Sequence, residues 1–240
     1  ITSFTPFASR RICDQIAISI AYAKQNVKII GSDPGISAEF NGGTHMSMED
    51  IGVLRSIPEL VIYEPVDVAQ FKQALPQIVA YEGPVYIRMF RKTIDDVFTD
   101  ANYKFDLFGA DCIQEGTAVT IFCSGIMVQE TMKANEILKQ EGIDAEIINI
   151  HTIKPIDRDA VVASAKKTGA VVVAENHNVI GGLTSAVCEV LMEEYPVPLR
   201  AVGVKDRFGQ VGKMPFLKEE YHMTAKDIVS AVKEVIRLNK

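Results

Sequence analysis

The chain has 240 residues, of which 48% are hydrophobic and 23% charged, and its formal net charge is −6. A chain of this size buries a core without disulfides or metals, and its acidic balance argues against a nucleic-acid-binding protein, which would carry a basic surface. No apolar run is long enough to cross a membrane. Four scattered cysteines without a CxxC pair predict buried, reduced thiols in a cytoplasmic protein.

Short runs rich in valine and isoleucine predict buried parallel strands, because their apolar character does not alternate. They lie at residues 27–32, 60–65, 85–90, 118–125, 145–150, 170–176 and 199–204. Segments with helical spacing of apolar residues stand between them, which predicts an α/β architecture. These segments cover residues 9–25, 48–57, 67–81, 127–142, 157–169, 183–195 and 224–238.

Local signals refine this pattern. Ser47 and Asp50 stand three apart before an apolar run, which predicts a capping box, and Pro76 predicts a kink or a split in its helix. The alternation breaks over residues 92–117, which we interpret as a linker with a short strand. We expect two consecutive three-layer α/β units, at residues 1–108 and 115–240.

Ligands bind outside the carboxyl ends of the strands in an open α/β sheet. Asp33 and the loop to His45 follow the first predicted strand, and Arg91 follows the third. His45 can donate a hydrogen bond or transfer protons near neutral pH, and Arg91 can bind a phosphate or carboxylate through two N–H groups. The simpler interpretation of His45 is a loop histidine packed before a helix, and that of Arg91 is a surface salt bridge. Phe4 and Phe7 stand three apart just before the first helix, and a hydrophobic staple into the core is their simpler interpretation.

The segment NHNVIGGLTSAV, residues 176–187, is a glycine-rich turn before a helix, where exposed amides can bind an anion. It has neither a P-loop lysine nor a GxGxxG pattern, so close helix–strand packing is the simpler interpretation. We expect His177 in this turn to be structural. His151 and His222 have no suggestive neighbours, and no histidine pair or acidic cluster has the spacing of metal ligands, so the sequence predicts no metal site.

Several stretches together resemble the C-terminal part of transketolases. They are FTPFASRRICDQI, VKIIGSDPGISAEFNGGTHMSMEDIGVLRSIPELVIYEPVD, GPVYIRMFRK, KPID, VVVAENHNVIGGLTSAV and GVKDRFGQVGK. The match runs nearly end to end, and its most specific parts are GTHM and ENHNVIGG. The resemblance implies a partial pyrimidine-binding domain over residues 1–108 and a transketolase C-terminal domain over residues 115–240. Split transketolases carry these domains on a separate subunit.

The resemblance implies that thiamine diphosphate is bound between subunits. In this family a GDG motif followed by an asparagine holds the diphosphate and Mg²⁺, and this chain contains no GDG. We therefore expect an N-terminal subunit with that motif, a homodimer or a dimer of heterodimers, and a sugar phosphate substrate. The family's activating glutamate precedes the aromatic segment, so the sequence resembles one truncated at its N-terminus.

The resemblance also assigns roles to single residues. Phe7 matches the aromatic residue that stacks on the aminopyrimidine, Phe4 matches a second wall residue, and Arg10 falls where many sugar-using members have a tyrosine. His45 matches a histidine that faces the reacting carbons. Arg91 matches an arginine that binds the sugar phosphate.

Two positions depart from the family pattern. Asp33 stands where histidine is frequent, and Asn41 stands where aspartate is frequent. Both positions contact substrate hydroxyls in sugar-phosphate enzymes, so the standard pentose-phosphate reaction is in question and a related or modified ketose stays open.

The implied activity is transfer of a two-carbon ketol unit between sugar phosphates. Two other enzymes share the two-domain layout, namely 1-deoxyxylulose-5-phosphate synthase and the β subunit of a 2-oxoacid dehydrogenase. A non-catalytic assembly subunit that keeps only the fold is the alternative of another class.

Overall fold

The computed structural model describes residues 1–100 and 102–239. Their strands are β1 (Thr2–Phe4), β2 (Lys28–Ser32), β3 (Val61–Tyr63), β4 (Val85–Met89), β5 (Asp111–Gln114), β6 (Val119–Cys123), β7 (Ala145–Asn149), β8 (Thr152–Lys154), β9 (Val171–Asn178) and β10 (Leu199–Val204). Their α-helices are α1 (Asp50–Arg55), α2 (Val68–Ala80), α3 (Met127–Gln140), α4 (Arg158–Thr168), α5 (Leu183–Glu194), α6 (Met214–Glu220) and α7 (Ala225–Leu238). No helix in these ranges is long and apolar enough to cross a membrane.

The described strands form two five-stranded sheets, in the orders β1-β2-β4-β3-β8 and β10-β9-β6-β7-β5. Pairing is parallel throughout except for β8 on β3 and β5 on β7. Each sheet therefore has a parallel body and one antiparallel edge strand, and β8 joins the sheet formed by the first half of the chain. All seven predicted strands are present, which confirms the α/β class. The short strand expected in the linker is β5.

The first predicted helix, at residues 9–25, is not a regular α-helix. The segment forms a 3₁₀ turn at Arg10–Ile12 and then a π-helix at Gln15–Tyr22. Within that π-helix the buried side chains are those of Ile16 and Ala21, which are five apart. A spacing of five matches the wider turn of a π-helix, whereas the prediction assumed the spacing of an α-helix.

Two local predictions concern helices. Pro76 does not split its helix, because α2 continues through it, and both Pro76 and Lys72, its hydrogen-bond partner in a regular helix, are exposed to water. The kink at Pro76 stays a prediction. Ser47 and Asp50 form no capping box: no side chain caps α1, and the Ser47 hydroxyl is buried without a partner. Asp50 instead bonds to a buried arginine in β4.

That arginine, Arg88, is completely buried between the two halves of the chain. Its Nε donates to Asp50 at 2.9 Å, its Nη1 donates to Glu64 at 2.5 Å, and its Nη2 donates to the carbonyl of Asn176 on β9 at 2.6 Å. Ser124, after β6, donates to the second oxygen of Glu64 at 2.7 Å. Burial alone lowers the pKa of Arg88, but Asp50 and Glu64 outweigh it and hold that pKa well above its ordinary value.

We expect Arg88→Met to lower the free energy of unfolding by about 3–5 kcal/mol, because Asp50 and Glu64 would stay buried without a counter-charge. The control is Arg200→Met, whose guanidinium pairs with Glu234 at 2.7 Å on the surface. Loss of such a surface pair costs about 1 kcal/mol or less. Urea unfolding measures both variants, and equal losses would contradict the expectation.

A second polar cluster lies at the junction and includes His151, for which the sequence suggested no partner. Thr152 donates its only hydroxyl proton to the carbonyl of Leu107 at 2.5 Å, so it accepts from Nδ1 of His151 at 3.0 Å. The other ring nitrogen is buried without a hydrogen bond and lies 3.7 Å from a carboxylate oxygen of Asp111. Burial lowers the pKa of His151 to about 4 and raises that of Asp111 to about 6.

Asp111 therefore makes stability depend on pH. Because its pKa in the folded state, about 6, exceeds the unfolded value of 3.8, its contribution is present below the unfolded pKa and is lost as the pH rises through 6. We expect Asp111→Asn to be more stable than the wild type at pH 8 by roughly 2–3 kcal/mol. The advantage should shrink toward pH 4.

Thermal unfolding between pH 4 and pH 8 measures this difference. The control is Asp14→Asn, since Asp14 is exposed. An advantage of Asp111→Asn that does not vary with pH would refute the assignment of the titration to Asp111.

Candidate functional site

The candidate site lies at the carboxyl edge of the first sheet, where β1, β2 and β4 are neighbours. Phe4 ends β1, and Phe7 stands in the turn that follows, where its N–H donates to the Phe4 carbonyl at 2.9 Å. Asp33 follows β2, Arg91 lies just beyond β4, and His45 belongs to the loop after Asp33. Parallel strands end at the same edge, so the fold brings these five residues together.

Three rings form the centre of this site. The centroid of His45 lies 5.3 Å from that of Phe4 and 5.0 Å from that of Phe7, and the two phenylalanines are 6.2 Å apart. All three contacts are edge-to-face, the arrangement favoured by aromatic quadrupoles. Nδ1 of His45 lies 2.8 Å from the hydroxyl of Thr44. Among the described residues Nε2 of this partly exposed ring has no hydrogen-bond partner, so it is available to a ligand.

Asp33 and Arg91 form an ion pair beside the rings. Nε and Nη2 of Arg91 both contact Oδ2 of Asp33, and the guanidinium lies 4.9 Å from the centroid of Phe4. The Asp33 side chain is 1% exposed and that of Arg91 is 54% exposed. Arg91 thus forms a salt bridge, as the simpler interpretation of its sequence position predicted. Its partner, however, is a buried carboxylate inside the candidate site. Oδ1 of Asp33 is buried without a partner.

The remaining two predicted residues bond elsewhere. Arg10 forms an ion pair with Glu49 at 2.5 Å. Asn41 is exposed, and its side chain donates to the carbonyl of Ala38 at 2.8 Å. In the described part of the chain neither side chain contacts the ring cluster, so their roles stay predictions.

The glycine-rich turn after β9 binds a group of the chain itself. Glu175 accepts from the N–H groups of Leu183 and Thr184 at 2.7 and 3.0 Å, at the start of α5. A Cβ on Gly182 would overlap this carboxylate, which explains the glycine. The turn is therefore no site for an external anion. His177 beside it is buried, and burial lowers its pKa to about 4, so it is a neutral structural residue as expected.

One group of potential metal ligands occurs in the described ranges, on the second sheet. Single ligand atoms of Cys112, Glu115 and Glu146 lie within 4.8 Å of one another. Lys167 pairs with both glutamates, at 2.8 Å from Glu146, so an ammonium group already supplies the positive charge. The expectation of buried thiols holds for Cys123 but fails for Cys112, which is exposed.

The sequence interpretation missed the residues that support the site from below. Arg88 lies in the apolar run VYIRMF, and Glu64 follows the apolar run VIY of β3. A charged residue in or directly beside a continuously buried strand indicates a buried ion pair, because an isolated charge there is too costly. The partners, Asp50 and Asn176, had no comparable signal.

The chain is thus an α/β protein of two mainly parallel sheets, with aromatic rings, a histidine and an arginine at one carboxyl edge. Two family models match it in succession. The transketolase pyrimidine-binding domain matches residues 2–95, and the transketolase C-terminal domain matches residues 109–228. The chain belongs to the transketolase family.

Individual relatives agree with this assignment. The chain is 57% identical, over 97% of its length and 72% of the relative, to the 6-deoxy-6-sulfo-D-fructose transketolase subunit SqwH of Clostridium sp. (strain MSTE9). It is 32% identical to an apulose-4-phosphate transketolase subunit of Phocaeicola vulgatus, over 96% of the chain and 74% of that protein. A solved structure titled "Split gene transketolase, inactive beta4 tetramer" covers the whole chain with a TM-score of 0.90 at 40% identity, and 76% of that structure's chain is covered.

Proposed function

We propose that this protein is the C-terminal subunit of a thiamine-diphosphate-dependent transketolase, which transfers a two-carbon ketol unit between sugars that carry an anionic group. The observation that carries the proposal is the convergence of Phe4, Phe7, His45 and Arg91 at one sheet edge. This edge brings together two partly exposed phenylalanine rings, a free imidazole nitrogen and a cation within a few ångströms. We also propose the division into domains at residues 1–108 and 115–240.

The residues at this edge suit the aminopyrimidine end of the cofactor. Phe4 and Phe7 are apolar and partly exposed, so they would hold a flat heterocycle. When bound, thiamine diphosphate supplies the carbanion chemistry that breaks and forms the carbon–carbon bond. We propose that the diphosphate and Mg²⁺ are held by a separate N-terminal subunit that carries a GDG motif. The names of two relatives, which describe them as transketolase subunits, support a divided enzyme.

Each side chain of the edge then has a distinct task. Nε2 of His45 would hydrogen-bond to a substrate oxygen and transfer a proton there. Arg91 would bind the remote anion of the substrate, so that binding energy far from the reacting carbons helps to orient them. Asp33, fixed in the sheet edge, would hold the guanidinium of Arg91 in place.

The anion can be a phosphate or a sulfonate, because both present oxygens that a guanidinium binds through two N–H groups. The relative at 57% identity is named for a sulfonated fructose, and Asp33 in the site and Asn41 in the loop beyond it depart from the pattern of sugar-phosphate enzymes. We therefore propose a ketose with a terminal sulfonate as the first donor to test, beside the ketose phosphates. A 1-deoxyxylulose-5-phosphate synthase is less similar, at 32% identity.

Reconstitution tests the proposal. The gene product that contains this chain, co-expressed with a GDG-bearing subunit, should catalyse ketol transfer with thiamine diphosphate and Mg²⁺, and this chain alone should not. In the complex, His45→Ala should lower kcat by about 10²-fold or more, because general acid–base catalysis contributes about 10²–10⁴-fold. Coupled assays with both ketose classes measure turnover.

The control for His45→Ala is His222→Asn. His222 is an exposed histidine with φ of 55°, a conformation that asparagine tolerates. The variant His222→Asn should keep turnover within about twofold of the wild type, as is usual for surface substitutions. Size-exclusion chromatography should show unchanged assembly for both variants. Full turnover by His45→Ala would favour the non-catalytic assembly subunit.

Arg91→Met should raise the KM for the anionic ketose by about 10- to 100-fold, since a hydrogen bond to a charged group contributes about 1.5–3 kcal/mol. The same variant should lose much less with the matching ketose that lacks the terminal anion, where only the unpaired carboxylate of Asp33 disturbs the site. Arg158→Met controls for net charge, because Arg158 pairs with glutamates on the surface of the second half. Equal losses with the charged and the neutral ketose would sink the role of Arg91.

A further inference from the structure

A loop from the second half of the chain, residues 205–213 after β10, lies on the turn that carries His45. A Cβ placed on Gly43 would lie 2.8 Å from the carbonyl oxygen of Gly209, and one placed on Gly42 would lie 3.0 Å from Val211. Gly209 in turn faces Met46, because a Cβ placed there would lie 2.9 Å from Cβ of Met46 and closer still to its sulfur. The loop thus contacts residues that precede His45, namely Gly42 and Gly43, and the residue that follows it, Met46.

The turn of His45 is held by hydrogen bonds from within the turn and from the second half of the chain. The N–H groups of His45 and Met46 both donate to the carbonyl of Gly42, at 3.1 and 2.9 Å. Beyond them, the carbonyl of Met48 accepts from the N–H of Asn178, at the end of β9, at 2.7 Å. The neighbours that fix this turn from outside therefore include residues of the second half of the chain.

The 205–213 loop is itself firmly held, so it can act as a rigid support. Tyr221 donates to the carbonyl of Phe208 at 2.8 Å, and Arg207 forms an ion pair with Glu220 at 2.5 Å. The guanidinium of Arg207 also lies 4.9 Å from the centroid of Tyr221. These contacts anchor the loop to the end of α6, on the second half.

We infer that Gly209 is a positioning residue, which lets the 205–213 loop pack against Met46 and so fixes the ring of His45 against Phe4 and Phe7. The inference rests on the proposed role of His45 and gives the C-terminal half a part in the reaction. The atoms nearest to a Cβ placed on Gly209 all belong to Met46, so the effect of Gly209 passes through the backbone of the turn. Met46 is 2% exposed, so a methyl group added at Gly209 meets a buried side chain.

Gly209→Ala tests this inference with little other disturbance. Gly209 is not among the glycines with positive φ, so alanine suits its backbone, and the three atoms nearest to the added methyl group all belong to Met46. In the reconstituted complex we expect kcat to fall by about 10- to 100-fold with KM within twofold, because a displacement of about 1 Å can cost 10²-fold. Hydrogen exchange of the segment 42–49 should become faster, and this readout does not depend on activity.

Gly212→Ala is the matched control in the same loop. Its added Cβ would lie 2.6 Å from a ring carbon of Phe216, which is 50% exposed and can turn away, and 3.1 Å from the end of the buried Leu217 side chain. This substitution crowds the loop without touching the turn of His45. We expect its kcat and the exchange of the segment 42–49 to match the wild type.

A double-mutant cycle separates positioning from general damage. If Gly209 acts through His45, then Gly209→Ala should cost no further activity in a His45→Ala background. An additive loss, or unchanged exchange in the segment 42–49, would overturn the inference. Failure of the proposed function would give a different result from failure of this inference, because His45→Ala alone would then keep full turnover. If Gly209→Ala does not assemble, Val211→Ala repeats both measurements with a milder change next to Gly42, and wild-type values there would also overturn the inference.

Discussion

The buried charge of Arg88 is the constraint on which the arrangement of the two halves depends. An ionised guanidinium without contact to water requires partners on every N–H group, and here the first half supplies two carboxylates while the second supplies a backbone carbonyl. The two sheets cannot separate or slide without breaking these bonds. A single strand residue thereby fixes the position of β9 relative to the edge of the first sheet.

The same cluster fixes both ends of the long loop that carries His45. At its start, the side chain of Asn176 donates to the carbonyl of Pro34 and accepts from the N–H of Ile36, both at 3.0 Å. At its end, Asp50 is drawn from the cap of α1 to Arg88 and Tyr86. Two fixed ends limit the paths that the loop between them can take, so the ring of His45 lies near the sheet edge.

Charge at the junction and charge at the site are handled differently. At the junction two carboxylates meet one arginine in the interior, and the excess negative charge is offset by the hydroxyls of Ser124 and Tyr86. At the edge the pair of Asp33 and Arg91 has one buried and one exposed member, so the cation faces solvent with its position fixed from behind. The first arrangement serves packing, whereas the second suits recognition of an anion.

The sequence by itself determined the α/β class and the seven parallel strands, and it placed Asp33, His45 and Arg91 after strands that end at one edge. Phe4 and Phe7 were added only by the family resemblance. Continuous runs of valine and isoleucine are typical of buried parallel strands. The residues that follow neighbouring parallel strands necessarily meet at one edge of the sheet. Tertiary structure decided the rest. Asp50 bonds to Arg88 and does not cap α1, because a buried guanidinium binds a carboxylate more strongly than free amides do. The segment Gln15–Tyr22 is a π-helix, which places Ile16 and Ala21 in the core. The support of His45 by Gly209 also depends on the meeting of the two halves, since contacts between residues so distant in sequence leave no periodic pattern in the chain.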